Sequence, residues 1–577
     1  MEHQSEICSN EISPSSSPSE SDEISTSCNQ NETSENTETS TSCNQNENET
    51  NEKKPPIILK PYQIEHYDRI CDSVTKYHGY LDTSPTGLGK TPVTLKLSKE
   101  YEFDGVGVIA PLSVTNVWRE ESEKYGVKIK FNITYQALRG TAISPPKHGL
   151  LERVGDEFTV TEKFRKYVKD GLLLIFDEVH NLKNDTAQLK AAHCLVKALI
   201  EMNCGSRIAL LSATPCDKPI HVESILKMLG IIKSERLYSY NPSTHEYQNL
   251  GLAEVINLCR VLQPTLTDSL LKYVVIDKRT ASQICYELFT QVLKPFLLSS
   301  MSRPPSPTIS NNDSTEILSI EKDCKNGYYE MEPAEVEQLR EGVYLLSKIT
   351  KYRSETGDIY IERGAWKDIT KALTIIEKAK VQLMIRLAKQ TLNAHPNNKV
   401  ILYFNYLPTI NLACHALKEY NPLLLYGQTR VHERDHITKQ FQIPTADHRL
   451  LISNVRVGGV GINLDDRTGH WPRFMFIIPN YNIIDLEQAT GRIYRTSTTK
   501  STATIRFVYS KAFPYEPSIL TALYKKATVL RAITISDDKI TALLPGEYPN
   551  EIENPSDTDL TPPIIVPLSP SREIITL

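Results

Sequence analysis

At 577 residues the chain exceeds the ~250 to 300 residues at which a single hydrophobic core stops growing, so two or more domains are expected. Charged residues make up 23% and hydrophobic residues 40%, near the globular average; mean hydropathy of −0.33 and no apolar run near ~18 residues exclude a membrane-spanning helix. Formal net charge is −5, unevenly laid: residues 1–54 hold 12 acidic and 2 basic side chains, residues 546–577 hold 6 and 1, and the body between carries +10, which suits a polyanionic partner.

The first ten residues, MEHQSEICSN, are acidic and polar where a secretory signal carries positive charge and then an apolar run, so export by that route is not expected. Residues 1–56 are mostly Ser, Thr, Asn, Gln and Glu and read as a disordered acidic tail, because they cannot bury enough apolar surface to offset their ordering entropy. The string STSCNQNE, at 25–32 and again at 40–47, reads as slippage of a low-complexity tract. Beyond the tail, short apolar runs at 106–110, 172–176, 208–212, 400–404, 450–453, 474–478 and 504–509 alternate with helix-length amphipathic stretches. Continuous apolar runs of this length suit parallel strands covered on both faces. A helix is predicted over 113–125, with Val114, Val117, Trp118 and Tyr125 on one face, Ser113 as cap and Gly126 as terminator; another is predicted over 185–202, started by Asp185. The fold class that follows is α/β, with doubly wound parallel-sheet domains at 57–220 and 396–520. Between them, 221–395 has helical periodicity and reads as a helical insertion or bridge with a disordered loop near 299–316. Residues 521–577 read as a short helix and a Pro-rich acidic tail. Eleven scattered cysteines without a C-x-x-C pair point to a reducing, intracellular compartment and against structural zinc.

Residues 80–91 read YLDTSPTGLGKT: a strand, a turn containing glycines, then Lys-Thr opening a helix. A phosphate needs backbone that approaches closely and turns its N–H groups inward, which Gly87 and Gly89 permit and a Cβ would not. Lys90 then reaches the β- and γ-phosphates, Thr91 offers its hydroxyl to Mg²⁺, and the helix N-terminus adds a favourable dipole. One departure is Ser84, where the pattern G-x-x-x-x-G-K-[ST] has glycine. Directly after the run 172–176 come Asp177, Glu178, Val179 and His180. A carboxylate at the end of a buried strand can hold Mg²⁺ through water, and its neighbour can orient and deprotonate an attacking water; the rival reading is a plain acidic turn. His66, His78 and His193 read as core or surface histidines. Trp118, Trp366 and Trp471 read as packing residues, with Trp471 placed so that it could also face a nucleic-acid groove.

With these two sites in this order, the chain resembles the DExH-type superfamily 2 helicases and translocases over roughly 60–510. Leu59 to Gln63 (LKPYQ) is similar to the glutamine motif that reads adenine, SPTGLGKT to motif I, VIAPLSVTNVW to motif Ia, and DEVH at 177–180 to motif II. Ser212-Ala213-Thr214 is similar to motif III, VILYFNYLPT to motif IV, GGVGINLDD at 458–466 to motif V, and Gln488 to Arg495 (QATGRIYR) to motif VI. LKPYQ and the motif V wording look Snf2-like. Gly491, where Snf2 proteins usually carry Asp, and the compact helical middle are closer to the helicase-like ATPases of large cytoplasmic DNA viruses such as poxviruses and iridoviruses.

The resemblance implies two RecA-like domains with ATP and Mg²⁺ in the cleft between them. It implies nucleotide contacts from Gln63, Thr86, Gly87, Leu88, Gly89, Lys90, Thr91, Gly461 and Asp465, and Mg²⁺ held through Thr91 and Asp177. Catalysis would rest on Glu178, Lys90, Gln488, Arg492 and Arg495, with His180, Ser212 and Thr214 coupling hydrolysis to domain movement. Arg492 and Arg495, three residues apart, are expected side by side on one helical face pointing into the cleft. The implied function is an ATP-dependent helicase or translocase moving along DNA or RNA. A duplex-DNA translocase that displaces bound protein without separating strands stands as the alternative. A scaffold that binds nucleotide without turnover is the reading from another class, against which Lys90, Asp177, Glu178 and Arg495 count. The acidic tails are offered to transcription or replication proteins, no membrane partner is expected, and the place of action is the cytoplasm, including a viral factory or virion, or the nucleus.

Overall fold

The computed structural model describes residues 54–534, apart from 142, 242, 244–245, 249, 272–279, 302–321, 354–357, 362–365, 460–461, 496–502 and 512–515, together with 575–576. The expectations for the acidic tail before residue 54 and for most of the Pro-rich tail lie outside the described residues.

Two six-stranded sheets organise the chain. The first contains β1 (Gly79–Asp82), β2 (Gly105–Ala110), β3 (Ile129–Thr134), β4 (Leu172–Asp177), β5 (Arg207–Leu211) and β6 (Leu298–Ser299) in the order β6–β1–β5–β4–β2–β3, every pair parallel. The second contains β7 (Lys322–Tyr329), β8 (Lys399–Phe404), β9 (Leu423–Leu425), β10 (Leu450–Asn454), β11 (Arg473–Ile477) and β12 (Ala503–Ser510) in the order β7–β12–β11–β8–β10–β9, again all parallel. The continuous apolar runs have the physical cause expected of them, because helices cover both faces. In β4, Leu172, Leu174 and Phe176 enter one core while Leu173 and Ile175 enter the other. In β8, Ile401 and Tyr403 face one core and Val400, Leu402 and Phe404 the opposite one.

Register decides what this scaffold can present. Leu211 at the end of β5 lies level with Asp82 of β1 on one side and with Asp177 of β4 on the other. The three segments that follow, beginning at Thr83, Ser212 and Glu178, therefore leave the sheet side by side at the carboxyl ends of neighbouring strands, where ligands of open α/β sheets bind.

Several expectations are corrected. The stretch 221–395 is not purely helical: it contributes β6 to the first sheet and β7 to the second. Ser299 belongs to β6 and Met301 is fully buried, so the loop expected near 299–316 begins later than expected, and 302–316 lies outside the described residues. Among its helices, Pro333–Ile349 pairs with Trp366–Ala379 around Leu339, Val343, Ile369, Ala372 and Ile376. Glu377 ties that pair to the second sheet by accepting the N–H groups of Asn405 and Tyr406 and the hydroxyl of Thr409. The helix predicted over 113–125 runs Leu112–Tyr125 and does end at Gly126, in the left-handed region with φ of 68°. Pro111, not Ser113, occupies the cap position, and Val117 is exposed rather than on the buried face. The next helix begins at Ala187, after a Thr186 cap, not at Asp185. The helix near 521 is longer than expected: it spans Glu516–Ile533, with Leu523, Ala527 and Leu530 in the core of the second sheet and Ile533 in that of the first. No helix among the described residues is long and apolar enough to cross a membrane.

Candidate active site

The segment after β1 turns over Gly87 (φ 82°) and Gly89 (φ 93°), both in the region that L side chains avoid, and delivers Lys90 to the first turn of the helix Lys90–Glu100. Gly89 is also required by a neighbour, since a Cβ there would lie 2.6 Å from Gln63 Nε2. Gln63 is committed to this loop: its Nε2 donates to Leu88 O at 2.9 Å and its Oε1 accepts Lys60 N–H, while the Tyr62 hydroxyl donates to the same Leu88 carbonyl. An adenine contact from Gln63 requires release of one of these bonds. Lys90 Nζ rests on Ser84 O at 2.8 Å, and its charge reaches the carboxylates of Asp82, Asp177 and Glu178. Thr91 follows in the same helical turn, half-buried.

At the end of β4, Asp177 is buried and both its oxygens are engaged. Oδ1 accepts Glu178 N–H at 2.9 Å and Oδ2 accepts Trp118 Nε1–H at 2.8 Å; the Tyr135 hydroxyl donates to the Asp177 carbonyl at 2.7 Å. Trp118 is therefore more than the packing residue expected: its indole fixes the carboxylate. Neither Trp118 nor Tyr135 was legible as a site residue, because a bond across 59 residues leaves no mark on local pattern. Burial and the neighbouring Glu178 charge raise the Asp177 pKa. Burial would raise Glu178 too, but hydrogen bonding to His180 and the charges of His180, Lys90 and Arg492 outweigh it and hold Glu178 below the ordinary glutamate range.

Glu178 has φ 53° and ψ 54°, a left-handed conformation that costs a non-glycine residue about 1 kcal/mol or more and is characteristic of functional sites. Its Oε2 meets the Ser212 hydroxyl at 3.3 Å and His180 Nδ1 at 3.2 Å. His180 and Ser212 are themselves 3.2 Å apart, and Thr214 N–H donates to Ser212 Oγ. The structure thus brings Glu178, His180, Ser212 and Thr214 into one cluster.

The second sheet reaches the same place. The helix Ile483–Thr490, with Gln488 buried, stops at Gly491, so Arg492 and Arg495 lie beyond its end and not on one helical face. Their common feature is the carbonyl of Ile462, which accepts from both guanidinium groups, at 3.4 Å and 3.0 Å; Arg492 also donates to Gly459 O. Arg495 packs over the glycine turn, its Cγ 3.6 Å from where a Cβ of Gly87 would stand. A Cβ on Gly491 would lie 2.5 Å from Thr86 Oγ1, which gives the departure from aspartate a steric reason. Asp465 is buried, 3.8 Å from Arg467 Nε, with its carbonyl taken by Arg473. Gly461 lies outside the described residues. Trp471 stands at the opposite, amino end of the sheet, where its ring covers the Lys399 ammonium at 5.2 Å.

Gly491→Asp should lower ATP turnover roughly ten-fold, since overpacking of a tight contact costs about 1–3 kcal/mol. Adding Thr86→Ala, which removes the obstructing hydroxyl, should recover part of the loss in a steady-state ATPase assay. Unchanged turnover of the single variant would show that the contact at 491 does not matter.

A family model described as the helicase conserved C-terminal domain matches residues 379–497. The chain is 25% identical over 489 residues to L364 of Acanthamoeba polyphaga mimivirus, which bears the name of an ATP-dependent RNA helicase; the match covers 83% of this chain and 84% of that protein. It is 24% identical over 510 residues to the DNA repair and recombination protein RAD54 of Oryza sativa subsp. japonica, covering 78% of this chain and 49% of that one. Against the transcription regulatory protein SNF2 of Saccharomyces cerevisiae the identity is 21% over 523 residues, 83% of this chain and 28% of that one. The chain thus spans most of the viral relative, about half of RAD54 and less than a third of SNF2.

Proposed function

We propose, on the premise that the chain belongs to the Snf2-like branch of superfamily 2 and hydrolyses ATP in a nucleic-acid-dependent way, that it is a motor moving along DNA or RNA. The observation that carries this reading is the meeting of the phosphate loop with the second sheet: Thr86 beneath Gly491 and Gly87 beneath Arg495. Groups that would act on one γ-phosphate then come from both sheets. A change in the nucleotide therefore changes the contact between the two halves, and that is the physical requirement for turning hydrolysis into displacement.

In this reading Lys90 leaves the Ser84 carbonyl for the phosphates, Glu178 accepts a proton from the attacking water, and Arg495 faces charge developing on the transferred group. The donors present fit Mg²⁺, which takes one or two carboxylates and hydroxyls together with substrate phosphates: Thr91 and Asp177 would hold it, and its charge would neutralise the phosphate oxygens. The +10 body supplies attraction for a phosphate backbone. The relatives' names divide between RNA, for L364, and DNA repair and recombination, for RAD54.

The deciding experiment measures ATP hydrolysis by the full chain with single-stranded DNA, duplex DNA or RNA as activator, at several salt concentrations. Stimulation by at least one of them, weakening steeply with salt as counterion release demands, is expected. ATP binding without turnover under every condition would leave the scaffold reading in its place.

A further inference from the structure

Ser84 stands where the phosphate-loop pattern has glycine, and the structure finds a use for its side chain. The Ser84 hydroxyl accepts Met301 N–H at 2.8 Å, its own N–H donates to Asp82 Oδ1 at 2.8 Å, and its carbonyl receives Lys90 Nζ at 2.8 Å. Behind it, His66 Nε2 lies 3.1 Å from Asp82 Oδ2 and His66 Nδ1 lies 2.7 Å from Ser299 Oγ, while Thr83 N–H donates to Ser299 O at 2.9 Å. His66, Asp82, Ser84, Ser299 and Met301 are all buried. Strand β6 is thus keyed to the base of the phosphate loop twice, by its register on β1 and by a chain of buried polar groups.

Ser299, His66 and Asp82 have the composition of a hydrolytic triad, but Ser299 is 2% exposed and paired within the sheet, so no substrate reaches its hydroxyl. The alternative use of such a chain is mechanical. Buried polar networks whose members are all satisfied hold one geometry, because each broken bond leaves an unpaired group in a low-dielectric interior. Asp82 remains a carboxylate there: burial opposes its charge, and His66, the Lys90 charge and the hydrogen bond of the Ser84 side chain together outweigh burial.

We infer that Ser84 is a positioning residue for nucleotide binding, holding the base of the glycine loop in place through its bond to Met301 and through the Asp82–His66–Ser299 chain behind it. The inference rests on the ATPase reading above. It makes the segment that leaves the first sheet part of the phosphate site. That segment is also the covalent route to the second sheet, since Met301 is followed, after 302–321, by β7.

Ser84→Ala and Ser299→Ala in the full chain provide the test, with steady-state ATPase measured across ATP concentrations and direct titration with a fluorescent ATP analogue. Leaving a buried donor unpaired predicts a rise in KM for ATP and in analogue Kd of roughly 5- to 50-fold in Ser84→Ala, with kcat at saturating ATP within about two-fold. Ser299→Ala should shift the same two quantities in the same direction. The double variant should fall short of the product of the single effects, because both residues belong to one network. Ser84→Gly, which restores the glycine of the pattern, should behave like Ser84→Ala. A fall in kcat with KM unchanged, as loss of folded protein would give, overturns the inference, as do unchanged KM and Kd. Wild-type protein that neither binds the analogue nor hydrolyses ATP overturns the ATPase reading and this inference with it; a normal wild type with indifferent variants overturns this inference alone.

Discussion

Glu178→Gln is expected to bind ATP with affinity within a few-fold of wild type and to hydrolyse it at least ~10²-fold more slowly, in line with the contribution of a general base. The amide keeps the shape of the side chain and can still meet Ser212 and His180, the partners of the carboxylate at 3.3 Å and 3.2 Å. What it loses is the negative charge and the capacity to take a proton. Lys90→Ala provides the contrast: without the ammonium that lies among Asp82, Asp177 and Glu178, binding itself should fail, and hydrolysis with it. The measurement is a nucleotide titration beside a single-turnover assay. Near-normal turnover by Glu178→Gln would remove Glu178 from the chemistry, and an equal loss of binding in both variants would mean that the cluster shapes the pocket and nothing more.

Arg495→Lys should leave ATP affinity within a few-fold and lower nucleic-acid-stimulated turnover by about 10³ or more, the range that arginine fingers contribute in related NTPases. The guanidinium spans two jobs at once, donating to Ile462 O at 3.0 Å while lying over Gly87 of the phosphate loop. A planar fork of donors can hold one partner and address another, whereas the lysine ammonium is a point charge on a flexible stem. The variant belongs in the full chain. A fragment ending at residue 220 would lose β6 and buried apolar residues such as Leu252, Phe289 and Leu297 from the core of the first sheet, so its inactivity would report folding. Turnover by Arg495→Lys within a few-fold of wild type would mean that the second sheet contributes no charge to the reaction.

The strands that could be read from sequence are those whose signal is local. β4 and β8 are continuous apolar runs because both of their faces are covered. The two strands by which 221–395 joins the six-stranded sheets lack that signal for physical reasons. β6 is two residues long, too short for any period to show, and β7 (KDCKNGYY) is a polar edge strand covered by pairing on one side only. A three-residue interval fits one face of a helix, which is why the sequence alone points Arg492 and Arg495 to a helical face. Gly491 ends the helix before either is reached, and a cap glycine and a glycine of close approach look the same in one sequence.

By itself the sequence determined the groups proposed for the chemistry and their attachment to strand ends: a flexible glycine turn before Lys90 and Thr91, and adjacent carboxylates at Asp177 and Glu178. These follow from the chain's own stereochemistry, since φ above zero calls for glycine and a buried parallel strand calls for unbroken apolar side chains. Only the tertiary structure decided the company those groups keep. It set β5 between β1 and β4, so that Ser212 falls beside Glu178; it brought Trp118 to Asp177 and Met301 to Ser84; and it pressed Gly491 and Arg495 against a loop some four hundred residues earlier. Strand order and cross-sheet contact depend on the summed packing of two cores, a quantity to which every buried side chain contributes a little and no short motif contributes enough to be read alone.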